Sequence, residues 1–542
     1  MKQWRVLAGA GVASVLVLGA ACSGGTSAGD AGSAAALNLV DRTSERSEPV
    51  DQVKWLLAKE PTTFDTDRSG GDTEDTVVAN VCERLFQLQP DLSVRPWLAS
   101  AVEHPDEETM VLTLRTDVTF HDGSPMTADD VVYSLRRHAK EGARESDEFG
   151  NVAAISKTGG HEVTLELSQP DAQLETALAA DAGIVFDEQT VGAQGEDYGS
   201  PGSVDGCSGS YRVASWKAGS SLVLERYDEH WGGDVESAPQ RVTFTWADSA
   251  AAVNNLSTGS VDGTYLPSPA LVPALQKSDK VTTYFGPSTM VYSLVPTQRG
   301  GMTDARLRRA LSLAIDRAGI AKAGFQGYAM PWKLPVGPAA WGYHQDGFQQ
   351  AYDGVEGTPA APTEEDLTAA RALVDEAGAP AEPVVIASDG SPYRTVMANA
   401  VKGAAQKIGL RAEITTLSEQ AFDEFYTDPQ ARSKVDLVPV GWYISKPDPV
   451  GFYDNMVSGS GNNWIDFSDA DYDEAIRQAA ASYEEAERAE LALRAQEIFL
   501  DEMLWIPLVQ APNTLALGSD LTGPPVSVAY LYYPWAAEIG RK

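Results

Sequence analysis

Positive charge is scarce in this sequence: 41 lysines and arginines stand against 77 aspartates and glutamates in 542 residues, a formal net charge of -36. Such a surface repels polyanions, which excludes nucleic acid and anionic lipid headgroups as partners. Cysteine is nearly absent, with three residues in all, so neither a disulfide-dense scaffold nor a thiolate metal cluster can be built. The six histidines, His104, His121, His138, His161, His230 and His344, are scattered without ligand spacing. Long hydrophobic runs are missing as well, since no segment after residue 21 reaches the ~20 apolar residues that cross a bilayer. The patterns S-x-x-K, H-E-x-x-H and the P-loop do not occur, and G-x-S-x-G occurs only at Gly25–Gly29, in a small polar run with no strand before it or helix after it to form a nucleophile elbow, so the commonest hydrolase and nucleotide-binding chemistries have no support. Lys157-Thr158-Gly159 would suit a penicillin-binding enzyme only beside a nucleophile motif that is missing, and is expected to be a turn. Asp469, Asp471 and Asp473 open like a calcium loop, but Glu474 and Ala480 occupy its glycine and glutamate positions, so the aspartates are expected to start a helix. No enzymatic activity and no cofactor are expected.

What is present begins at the amino terminus. Met1, Lys2 and Arg5 precede an apolar run from Val6 to Ala21, too short to span a membrane and suited to a secretory signal. Gly19-Ala20-Ala21-Cys22 resembles a bacterial lipobox, although the usual leucine sits one place early, at Leu18. The resemblance implies a signal peptide over 1–21 and a lipid on Cys22. Residues 22–50 are then expected to be a flexible tether, because the run SGGTSAGDAGSAAA is too small and polar to build a core. With Cys22 used, Cys82 and Cys207 are an even pair in an exported chain, where oxidation is permitted; a disulfide is expected, two separate buried thiols being the alternative.

Removal of the signal leaves enough chain for two or three domains. Val53 opens a strand. Thr73 to Leu88 places Val77, Val81, Leu85 and Leu88 at helical spacing, which predicts one amphipathic helix with Cys82 near its inner side. An alternating strand from Val111 to Leu114, a turn at Asp122-Gly123 and a helix capped by Thr127 follow. Further strands are expected at HEVTLELS, SYRVASWK, SLVLERYD and RVTFTWAD, and a helix from Ser249. Leu307, Ala310, Leu311, Ala314 and Ile315 share one helical stripe. Residues 331–362, rich in proline, glycine and aromatics, are expected to be a long ordered loop. Strand and helix then alternate, which predicts an α/β domain with a largely parallel sheet.

Four blocks in order resemble the bacterial extracellular solute-binding proteins of family 5, which serve peptide and nickel ABC importers. They are CERLFQL at 82–88, LRTDVTFHDGSPMTADDVVYSLRR at 114–137, CSGSYRVASWKAGSSLVLERYDEHWGG from 207, and ARLRRALSLAIDRAGIAKAGFQG from 305. The resemblance runs from about residue 51 to 540. It implies a two-lobed, type II periplasmic-binding-protein-like α/β fold of the large cluster, with a central ligand cleft. Residues 51–284 would form the first lobe, including an extra subdomain at about 85–200; residues 285–504 would form the second, and 505–542 would return to the first.

That fold directs attention to GWYISKPDPVGFY at 441–453, which leaves the buried strand VDLVPV at its carboxyl end, where open α/β sheets hold ligands. In peptide-binding relatives this segment supplies main-chain contacts and an aspartate for the peptide ammonium. Ser445 stands at that place here, followed by Lys446. The expected ligand contacts are Gly71, Asp72, Gly441, Trp442, Tyr443, Ser445 and Trp464, with Asp72 able to supply the missing charge from the opposite wall. The resemblance implies a lipid-anchored component of the bacterial cell envelope that captures a peptide or peptide-like solute and passes it to permease and ATPase subunits. A nickel complex, another non-peptide solute, or a transport-silent regulator of envelope assembly are the alternatives.

Overall fold

The computed structural model describes residues 37–232 and 235–542. The signal segment, Cys22 and the first part of the tether lie outside the described residues. Two mixed sheets organise the chain. The first has seven strands, ordered Val281–Gly286, Asn513–Gly518, Gly263–Tyr265, Gln52–Leu57, Arg241–Trp246, Ser221–Arg226 and Tyr211–Lys217. The second has six, ordered Met330–Pro331, Ile506–Gln510, Val291–Pro296, Leu437–Trp442, Val384–Ser388 and Ala412–Thr416. A four-stranded antiparallel sheet, Ala99–Asp106, Thr109–Leu114, Glu162–Leu167 and Val152–Gly159, packs on helix Ala128–His138 and shares one apolar core with the first sheet. That helix starts as its sequence predicts, with Thr127 and Asp130 capping each other's backbone.

Several expectations need correction. The second sheet is not largely parallel: Val384–Ser388 runs parallel to both neighbours, but Val291–Pro296 is antiparallel to the strands on either side. Strand Ile506–Gln510 still belongs to this sheet, so the chain re-enters the first only at Asn513. The tether also ends early. Leu39 bridges to Phe285 in strand Val281–Gly286, and Arg42 and Glu48 bridge to Pro525 and Arg541 of the carboxyl-terminal segment, where Thr43 is buried and bonded to the Pro524 carbonyl and the Gly523 amide. Lys157-Thr158-Gly159 closes a strand rather than forming a turn.

The first predicted helix stops at Val81, not Leu88. Cys82 is extended and disulfide-bonded to Cys207, while the Gly209 amide donates to the Val81 carbonyl, so the chain leaves the helix there and Phe86–Leu88 pairs as a strand. The stripe from Leu307 also divides, into Ala305–Ala314 and Arg317–Gly324. Asp316 caps the second helix through the Gly319 amide. Arg317 is fully buried, donating from Nε to Pro507 O and from Nη1 and Nη2 to the carbonyl and hydroxyl of Ser312. The segment 331–362 contains a ten-residue helix, Gln345–Gly354. Phe348 packs on Trp341 there, and Tyr352 stacks on Trp332 with ring centroids 4.2 Å apart. The aromatics that suggested a loop are the core of a helix docked on it. Asp469 behaves as expected, capping helix Ala470–Ala481 through the Tyr472 amide.

Candidate binding cleft

Strand Leu437–Trp442 ends beside a cavity of about 1170 Å³. One wall comes from the last two residues of the strand, Gly441 and Trp442, and from the segment that follows: Tyr443, Ser445, Lys446, Gly451 and Asp454. The opposite wall comes from the start of helix Asp72–Val81, from residues 144–148 after the capped helix, and from Tyr532. Six of the seven expected contacts, Gly71, Asp72, Gly441, Trp442, Tyr443 and Ser445, therefore line one cavity. Trp464 does not. It is 4% exposed, packed against Tyr426 and beneath the Arg432 guanidinium, and Asn462 lines the cavity in its stead. Tyr426, Arg144, Glu145, Asp147, Glu148, Asp454 and Tyr532 are lining residues that sequence reasoning missed; the acidic run around Arg144 in EGARESDE was the visible signal.

Lys446 is 6% exposed, and its Nζ donates to Glu148 Oε2 at 2.7 Å. Burial alone would lower its pKa, but Glu148 and then Asp454 outweigh that and hold the ammonium charged. Gly451 makes room for the pair, since a Cβ there would meet Lys446 Cε at 2.9 Å. Asp454 is pushed up to about 7 by burial, with Lys446 opposing. Glu145 is likewise pushed to about 7, by burial, with Arg144 opposing.

On the other wall, Arg144 crosses Gly70, where any Cβ would strike its guanidinium. Arg144 reaches Asp181 at 2.9 Å and Glu145 at 3.0 Å, with Asp75 at 3.9 Å. Arg84 also bonds Asp181, at 2.8 Å. Burial opposes ionisation of Asp181, but Arg84 and Arg144 together hold it below the usual carboxylate range. Asp75 is fully buried and accepts a hydrogen bond at neither oxygen; burial and then the Asp181 charge push its pKa well above the usual carboxylate range, with Arg144 and Arg84 opposing. His121, beside the Asp122-Gly123 turn, bonds through Nε2 to Gly209 O at 2.9 Å, and burial lowers its pKa to about 4. The cavity thus offers aromatic walls, carboxylates in excess, and two cations already paired.

Residues 93–464 match the family model described as bacterial extracellular solute-binding proteins, family 5 Middle. The chain is 25% identical over 490 residues to the probable D,D-dipeptide-binding periplasmic protein DdpA of Escherichia coli K12, covering 88% of this chain and 91% of that one. It is also 25% identical over 481 residues to the glutathione-binding protein GsiB of Salmonella paratyphi A, covering 85% and 89%. Among solved structures, the oligopeptide-binding protein AppA of Bacillus subtilis in complex with a nonapeptide superposes with a TM-score of 0.74 at 19% identity, covering 91% of this chain and 99% of AppA. NikZ of Campylobacter jejuni in complex with Ni(L-His) superposes at 0.76 and 18% identity, covering 91% and 100%. The fold is the two-lobed periplasmic-binding-protein type that the four sequence blocks imply, and the chain belongs to the bacterial extracellular solute-binding proteins of family 5.

Proposed function

We propose that this chain is the lipid-anchored solute-binding component of an ABC importer, that it captures a peptide or peptide-like solute in the cavity, and that it delivers the solute to permease and ATPase subunits at the cell membrane. The lobes of this reading are the halves built on the two sheets, and Cys22 is the anchor. The observation that carries the reading is the joint wall: Asp72 and Arg144 from one half and Gly441 to Asp454 from the other enclose one cavity large enough for a short peptide. The relatives that bind a D,D-dipeptide and glutathione support a small peptide-like solute, and nothing in the cavity calls for chemistry on it.

A nickel complex is the second reading, favoured by the fold shared with NikZ; no histidine is among the residues lining the cavity. Mass spectrometry of the solute that co-purifies with the protein discriminates between the two, a peptide-like mass being the expected result and a metal complex refuting it. A neighbouring permease and ATPase gene pair separates transport from a regulatory role in envelope assembly. Small-angle scattering with bound solute is expected to show compaction, and its absence would count against lobe closure.

A further inference from the structure

We propose that Asp72, flanked by Tyr443 and Tyr530, is the seat of a compact ammonium group on the solute. This rests on the reading that the cavity is the solute site, and it names the chemistry that site selects. The two cations of the cavity are spent within the protein, Arg144 on Asp181 and Glu145, and Lys446 on Glu148. Among the lining carboxylates Asp147 and Asp423 are also outside any ion pair, but only Asp72 also borders spaces walled by tyrosines. Its side chain is exposed to the cavity, accepts no hydrogen bond from another residue and joins no ion pair, and its backbone carbonyl accepts from the Thr76 hydroxyl. The exposed Lys59 acts on it only at a distance. The start of a helix favours negative charge at this point, yet enclosure by the walls, followed by Glu74, outweighs that and leaves the carboxylate wanting a cation.

The surroundings are aromatic. Beyond the main cavity, Asp72 borders two smaller spaces, one of about 40 Å³ against Tyr292, Tyr443 and Tyr530, and one of about 60 Å³ against Trp55, Tyr265 and Tyr530. Tyr265 and Tyr530 stack with ring centroids 3.6 Å apart. Trp55, fully buried, contributes its ring to this wall. A cation beside aromatic faces and a carboxylate is favoured by both. Spaces the size of one or two water molecules admit a primary or methylated ammonium.

The test uses methylammonium and tetramethylammonium chloride as probes, titrated into solute-free protein at constant ionic strength and followed by ligand-observed NMR. Saturable millimolar binding is expected, weakened at least tenfold in Asp72→Asn, a variant whose circular dichroism and Tm serve as the folding control. Equal binding in Asp72→Asn, loss of binding only in Asp454→Asn, or no saturable binding overturns the proposal. The importer reading is separable: a co-purified solute without a cationic group would refute the ammonium seat and leave that reading standing.

Discussion

Replacing Lys446 by methionine removes the cation that links residues 144–148 to the segment after strand Leu437–Trp442. Unit charges 2.7 Å apart attract by about 6 kcal/mol at an effective dielectric near ~20. Desolvation of both groups takes back several kcal/mol, which leaves a net coupling of about 2 kcal/mol. The single change costs more than the coupling, because it strands Glu148 beside Asp454 and Asp147. A stranded member of a buried pair typically costs ~3 to 5 kcal/mol. Glu148 retains 19% side-chain exposure to the cavity, so the lower end, about 3 kcal/mol, is expected for Lys446→Met. Glu148→Gln should cost less, about 1 to 2 kcal/mol, since Lys446 keeps Asp454 as a partner. Urea unfolding of both single variants and the double variant, followed by tryptophan fluorescence and circular dichroism together, measures the coupling. The coupling should change little between 0.1 and 0.5 M salt, because the pair is shielded from bulk ions. A coupling below ~0.5 kcal/mol, or one abolished by salt, would refute the claim that this pair is buried and joins the two walls.

Three further outcomes are expected. Cys82 and Cys207 close a loop of 125 residues, worth about 4 to 5 kcal/mol in the chain-entropy model; the double serine variant should lose up to that amount in urea, and free thiols in protein from an oxidising compartment would contradict the pairing. Arg317→Met should cost about 4 kcal/mol, since three carbonyls and the Ser312 hydroxyl lose their donor in a fully buried site, whereas Arg306→Met on the exposed face should match wild type; equal unfolding midpoints for the two variants would be the refuting result. Asp454 and Glu145, pushed up to about 7, keep protons that the unfolded chain releases near pH ~4, so their contribution to stability falls as pH rises from about 4 to 7; Asp454→Asn should reduce that slope, and an unchanged slope in urea midpoints across the window would refute the assignment.

The sequence by itself determined the elements whose signals are local. The Thr127 capping box, the Asp122-Gly123 turn and the alternating strands at 109–114, 162–167 and 221–226 follow from side chains acting on their own backbone. The four family blocks fixed the fold class, and the strand before Gly441 pointed to one wall of the cavity. What failed locally failed for non-local reasons. Helical spacing through Leu88 continues past the point where the disulfide at Cys82 and the Gly209 amide turn the chain away, and Ile315 fits the stripe while the buried Arg317 fork ends the helix. Trp464 sits within the expected binding region by position and inside the core by packing. Above all, the electrostatics of the cavity belong to the tertiary structure. Lys446 and Glu148 are 298 residues apart, and so no periodicity could show that the charge beside Ser445 is already taken. Arg144 and Asp75 are coupled only because a helix start and a distant loop meet at Asp181. Pairing decides which carboxylates remain open to a solute, and pairing over such separations is set by how the two sheets bring their edges together.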